Sequence, residues 1–459
     1  MNVKASNIAM LRLQGASASR RSGLLIVPIL VVCLALGFRI FNFFPGFSNI
    51  QETAFVLGGV ASLGLWILML GGARHRLRSF EGYAALFVLV VPFYSAVVSH
   101  LGFGQPLTYG LLAQRNLGMA TAVPQGLLLA LRRGWIGFHH LEKALLTLAW
   151  GTLVLFFLMS HTMDASKFWD SSQGFVNVDY TRMIYKFKLD EIFIVFGFYY
   201  YMFLAIFHRR SRGFLLGLLF LAYLVLEGGG RSGLLALLIS FVALCLSWTQ
   251  KGARGAFLLK FALVGLGLSV LLAVVKPEYF NHMVEKFGAI SDALFESGTS
   301  SDTSANARYT QFELILPYIA DKITFGTGII SNRWEDGIQA AIGGGYFHPS
   351  DLGLIGIVFL YGIIGLLFFL AQYLWAFRFS KRLEQKGCGR VPILDATQGV
   401  LFFYLVSSVT TGRLAFYPEV SLFFIALLLA ASQRGSPFVR GPAGPQSSGS
   451  VFSCSGLES

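Results

Sequence analysis

The sequence predicts an all-α, polytopic integral membrane protein of about twelve transmembrane helices, with one long external loop containing short helices. Three observations carry that prediction. The 459 residues are 55% hydrophobic and 13% charged, against about a quarter charged in soluble domains. Mean hydropathy is +0.65. Apolar runs of about 20 residues, the length a helix needs to cross a bilayer core, recur along the chain. The runs are continuous and lack two-residue alternation, which excludes a membrane β-barrel.

Residues 1–22 are polar and basic and are expected in the cytoplasm. The first run, 23–44, is too long for a signal-peptide core and lacks a small-residue cleavage site, so it is expected to remain as a span. Spans then follow at 54–72, 83–101, 107–131, 144–163, 189–207, 213–227, 233–249 and 256–275, completing a first membrane block over 23–275. Residues 276–350 form the large external loop. A second block, 351–432, holds spans at 351–377, 393–411 and 419–432. The tail, 433–459, is rich in Pro, Gly and Ser and is expected to be a disordered cytoplasmic end.

The net charge of +13 is topogenic by its distribution. Basic residues occupy alternate loops: Arg20-Arg21, Arg74 to Arg78, Arg132-Arg133, Arg209 to Arg212, Lys251 with Arg254, and Arg378 to Arg390. The intervening short loops 45–53 and 102–106 carry none. This positive-inside pattern puts both termini in the cytoplasm and residues 276–350 outside, and it argues against nucleic acid as a partner. Cys33, Cys245, Cys388 and Cys454 fall in spans or cytoplasmic segments, so no disulfide framework is implied.

A long extramembrane segment on a helical scaffold is where a substrate is usually handled. Within it, residues 278–297 have the spacing of an amphipathic helix on the membrane face. Residues 298–304 are a flexible break. A second helix starts near Asn306 and runs through Arg308 to Pro317. Gly326-Thr327-Gly328 and Gly343-Gly344-Gly345 are turns where the backbone can approach a neighbour or a ligand closely. A second external segment covers 164–188.

Several residues have the types that anion binding and proton transfer require. Glu227, three glycines ending at Gly230, and Arg231 form the turn before a helix. Backbone N–H groups, the helix dipole and a guanidinium make an anion site there, or the segment is a tight hairpin with a snorkelling arginine. His348 is of the residue type that most often serves as a general base; the plainer role is an interfacial histidine bonded to a backbone carbonyl. Asp351 either orients His348 or favours the following helix N-terminus, with Ser350 or Asp351 as cap. Arg115, about 12 Å into the fourth span at helical rise, faces a lipid-linked phosphate or pairs with Glu227 or Glu419. Arg39, Arg413 and Glu419 near the outer ends are expected to snorkel. No cluster has zinc-site spacing, and there is no P-loop or dinucleotide fingerprint, so no metal or nucleotide cofactor is expected.

In order and spacing, these residues resemble the bacterial O-antigen polymerase and O-antigen ligase superfamily over roughly 210–430. Gly230-Arg231-Ser232-Gly233 resembles a Ser-Arg-Ser/Gly-Gly stretch opening a helix. Arg308 through Pro317 to Gly326-Thr327-Gly328 resembles the family's loop block. His348 with Asp351-Leu352-Gly353, then Gly362-Ile363-Ile364-Gly365, resembles the His-Asn motif leading into a glycine-containing span. The chain departs from the family in having Pro349 where asparagine follows the histidine, and Phe312 as the nearest aromatic where a tryptophan is common.

The resemblance implies a membrane-embedded glycosyltransferase using a polyprenyl-pyrophosphate-linked glycan. Arg231, Arg308 and Arg115 would clamp the pyrophosphate without a metal, supported by Gly230, Gly326, Gly328, Glu227 and Arg413. His348 would deprotonate or orient the acceptor hydroxyl, with Asp351 as helper. The implied location is the bacterial inner membrane with a periplasmic site. Implied partners are the lipid-linked oligosaccharide, membrane lipids, and chain-length regulator and flippase proteins. A polymerase fits the Phe-His-Pro-Ser-Asp form better than a ligase. A transporter would instead favour paired broken helices and ionisable groups at mid-membrane, and no inverted repeat is evident.

Overall fold

The computed structural model describes residues 25–40, 47–70, 80–168, 176–179, 184–187, 189–228, 231–275, 303–335, 337–343, 347–385 and 390–434, with a few positions in 277–284. Its architecture is helical. In chain order the helices are α1 (Leu25–Gly37), α2 (Phe47–Leu70), α3 (Phe80–Phe103), α4 (Leu107–Ala113), α5 (Asn116–Arg133), α6 (Phe138–Thr162), α7 (Ile192–Phe207), α8 (Ser211–Tyr223), α9 (Arg231–Trp248) and α10 (Arg254–Val275). Beyond the loop come α11 (Thr303–Lys322), α12 (Gly337–Ile342), α13 (Leu354–Gln385), α14 (Pro392–Thr411), α15 (Arg413–Phe416) and α16 (Pro418–Arg434). Among the described residues, α3, α6, α13 and α14 are long and apolar enough to cross a membrane. Helices α1, α7, α8, α9 and α16 are apolar and shorter.

Three expected spans differ in detail. The fourth is two helices, α4 and α5, separated at Gln114-Arg115. Arg115 leaves the helical ladder there and ion-pairs with Glu52 of α2. The seventh ends in a π-helical turn over Leu224–Gly228. The tenth breaks at Gly362, whose backbone (φ 66°, ψ −176°) is not helical. Residues 164–188, expected as a loop of an all-α chain, carry an antiparallel hairpin of β1 (Val176–Asp179) and β2 (Ile184–Phe187), in register Val176↔Phe187. Local alternation suffices for so short a pair, which packs on the Ala165–Phe168 turn through Phe168 and Phe187.

Helix α16 is the hub. Every residue from Val420 to Ala431 is at most 4% exposed, and the helix packs against α5, α13 and α14. Being apolar all round, it sits inside the bundle. Phe424 stacks on Phe196 of α7, and Phe38, in the turn after α1, meets Phe193 and Phe423 edge-on. Helix α10 is the opposite case, exposed along most of its length. The expected amphipathic helix at 278–297 and the break at 298–304 lie largely outside the described residues, as does the tail from 435.

Candidate functional site

The site is built around the interruption of α13. In an α-helix each carbonyl accepts from the N–H four residues on, so the break at Gly362 releases carbonyls before it and N–H groups after it. Residues 323–328 replace the lost partners. Thr327 and Gly328 N–H groups donate to the carbonyls of Phe359 and Leu360, both at 2.8 Å, and the Thr327 hydroxyl donates to Phe359 at 3.0 Å. Ile363 N–H donates to the Ile323 carbonyl at 2.9 Å. Apolar surroundings make such replacement obligatory. The Gly-Thr-Gly turn is therefore a close approach to a neighbour.

Gly326 and Gly328 have φ of +75° and +74°. A Cβ on Gly326 would stand 2.5 Å from the Gly362 nitrogen, and one on Gly328 would collide with the Ser95 carbonyl and the Ser99 nitrogen.

Helix α3 pins the same strip from its other side. Tyr94 donates to the Phe325 carbonyl at 2.7 Å and the Ser95 hydroxyl accepts from Ile329 N–H at 2.8 Å. Gln105, fully buried, donates to the Ile329 carbonyl at 3.1 Å and accepts from Ser331 N–H at 2.7 Å.

On this support the loop's chemistry-bearing residues are arranged. The second loop helix forms but is longer than expected, running from Thr303 to Lys322 with Pro317 inside it. Arg308 lies half-buried on it, and Gln311, one turn further, is buried. The Gln311 Oε1 accepts from the backbone N–H of His348 at 3.0 Å. His348 itself is exposed, at the start of a 3-10 turn over Pro349–Leu352. Asp351 is tied to His348 by its backbone N–H, donated to the His348 carbonyl at 3.0 Å. No side chain caps this turn, whose N-cap position is His348; proline at its first position already fixes φ. Gly353 then presses on Val409 at the end of α14, next to Gly412 and Arg413. The His348–Gly353 turn is thus wedged between the Arg308 helix and the Arg413 corner.

Arg115 is anchored differently from expectation. Its partner is Glu52, with Nη1 also donating to the Leu112 carbonyl at 2.7 Å. Glu419 pairs with Arg39 rather than with Arg115. Glu52 lies 3.7 Å from Arg333 of the loop as well. The hydrogen bond from Arg115 holds the Glu52 carboxyl below its ordinary range. The neighbouring Gln114 accepts from Tyr361 at 3.3 Å, so the break between α4 and α5 meets the break in α13.

Arg39 and Arg413 do not snorkel. Arg39 donates to Glu419 through Nε at 2.9 Å and lies 5.0 Å over Tyr417. Its φ of +56° is rare outside glycine. Arg413 lies over the rings of Phe403 and Tyr404, at 5.2 and 5.3 Å. Burial opposes its charge; Tyr404, Asp190 and Glu191 outweigh that and raise its pKa.

Arg231 opens α9, but its side chain, that of Glu227, and Gly230 lie outside the described residues. The residues that sequence reasoning missed are Gln311, Gln105, Glu52, Arg333 and Asp190. A glutamine three residues after Arg308, and so on the same helix face, was the one local signal available for the first. Among the described residues no group of three or more His, Cys, Asp or Glu could hold a metal ion.

Compared with family models, curated proteins and solved structures, the chain has no significant match.

Proposed function

We propose that this chain is a membrane-embedded glycosyltransferase of about twelve spans that polymerises lipid-linked oligosaccharide units. The donor is a polyprenyl-pyrophosphate glycan, handled at the outer face of a bacterial inner membrane. The observation that carries this reading is the hydrogen bond from His348 N–H to Gln311, one turn from Arg308. It joins a candidate base to a candidate phosphate ligand across a stretch of loop.

In the proposed reaction, an acceptor hydroxyl loses its proton to His348 as its oxygen attacks the anomeric carbon of the donor sugar. The bond to the pyrophosphate oxygen breaks, and Arg308, with Arg231 and Arg115, takes up the charge on the departing diphosphate. Asp351 assists His348. A ligase delivering the finished glycan to lipid A core or protein would use the same chemistry.

The test is glycan analysis in cells lacking the native protein and complemented with wild type, Arg231→Ala, Arg308→Ala or His348→Ala at matched membrane levels. A single lipid-linked repeat accumulating in the variants identifies a polymerase. Full-length polymer left on the carrier identifies a ligase. Unchanged glycans overturn the transferase reading.

One observation favours a second reading. Two broken helices meet at Tyr361 and Gln114, and polar groups lie deep in the bundle, as in Ser62–Thr121 and Ser421–Gln372. Paired discontinuous helices are the hallmark of transporters. Uptake of the lipid-linked glycan by sealed vesicles, abolished by Gln114→Ala, is the outcome that reading requires.

A further inference from the structure

Helix α13 carries a second, unassigned feature at the end opposite the loop. From the break at Gly362 to its end at Gln385 the helix runs unbroken for about 34 Å at helical rise, so it outruns a hydrocarbon core about 30 Å thick. Its last turns, beyond the apolar stretch, carry Arg378, Lys381 and Arg382, which line an open groove with Leu374, Phe377 and Gln385. The three cations are exposed. Arg378 is braced against Trp375 at 5.2 Å and Arg382 against Phe379 at 5.8 Å. Among the described residues, no carboxylate lies within ion-pair distance of any of the three. Glu384, also on this helix, acts instead on Arg390.

The same helix face continues upward as an apolar stripe. Leu367, Leu374 and Phe377 are 60%, 63% and 69% exposed, with Ile363 and Ile364 above them. These positions recur at helical spacing on one side. From Leu367 to Arg378 the rise is about 16 Å, one leaflet of the core.

We propose that this face binds one anionic phospholipid. Its acyl chains lie along Leu367, Leu374 and Phe377, and its phosphate sits among Arg378, Lys381 and Arg382. Charge complementarity and the leaflet-long stripe select a diacyl anion over a soluble one, because a free phosphate would use the cations and leave the stripe unused. The site stands apart from the transferase reading and shares none of its residues.

The experiment is native mass spectrometry of the full chain in detergent, titrated with phosphatidylglycerol, phosphatidylcholine or glycerol phosphate. The pocket variant is Arg378→Gln with Arg382→Gln. The control is Arg209→Gln with Arg212→Gln, which removes equal charge from another exposed basic turn. The expected result is preferential phosphatidylglycerol binding that weakens about tenfold or more in the pocket variant and is unchanged in the control. Equal weakening in both would mean diffuse attraction and overturn the site, as would no weakening in either. Glycerol phosphate binding as tightly as the lipid would also overturn it. Lys381→Gln, a single surface change, reads the same loss should the double variant fold poorly.

Discussion

At the scale of the residue, the decisive fact is that ionisable groups near the helix ends turn inward. Arg39 and Glu419 form a pair in which Glu419 is 4% exposed. Removing one partner leaves a buried charge uncompensated, whereas replacing both leaves none. Arg39→Ala should lower stability by about 3–5 kcal/mol, read as a drop in Tm in detergent, and Arg39→Met with Glu419→Leu should recover much of it. Glu52 makes a pH-dependent contribution. Its folded pKa lies below its ordinary value because of Arg115, so its stabilisation is complete above the unfolded pKa of about 4.3 and is lost as pH falls through the folded value. In a pH series of Tm, Glu52→Gln should lower Tm modestly at neutral pH and converge with wild type in acid, flattening the acid limb. The carboxylate is well exposed, so the effect should also shrink at high salt.

At the scale of the element, the interruption of α13 and the strip 323–328 are one unit, since neither satisfies its backbone alone. Gly328→Ala adds a Cβ against the Ser95 carbonyl and strains a φ of +74°. It should cost about 3 kcal/mol or more and loosen both segments, seen as faster amide exchange at Ile363 and Ile364 together with Thr327. Thr327→Val keeps the shape and removes only the hydroxyl, which donates to the Phe359 carbonyl with the Gly328 carbonyl as a longer alternative. It should cost about 1 kcal/mol. Gln311 sets the position of His348 through one amide oxygen. If His348 acts as base, Gln311→Ala should reduce polymer formation without changing protein level, while Gln311→Glu, which keeps the acceptor, should retain more activity.

At the scale of the molecule, the bundle is organised by how apolar each helix is around its circumference. Helix α16 is buried on every side and α10 on almost none, although both read as apolar spans. The sequence does not separate them, because lipid and protein interior select the same side chains. For the same reason the expected boundaries were close for α3, α9 and α14, where apolar runs are bounded by charges or glycine. They failed at Gln114 and Gly362, where a break depends on a partner distant in the chain. The loop helix at Arg308 was legible from its spacing. The role of Gly326 and Gly328 was half legible: glycine announced a close approach, and only packing decided that the neighbour is α13 and α3.

By itself the sequence determined a helical, membrane-type chain, the positions of its main apolar helices and a long polar insertion before α13. These are local properties, written in hydropathy and periodicity. Tertiary structure alone decided that Arg115 pairs with Glu52, that Arg39 and Arg413 point inward, and that His348 is held one turn from Arg308. Each of these is a contact between residues far apart in the chain, fixed by the need of buried charges and broken backbones for partners.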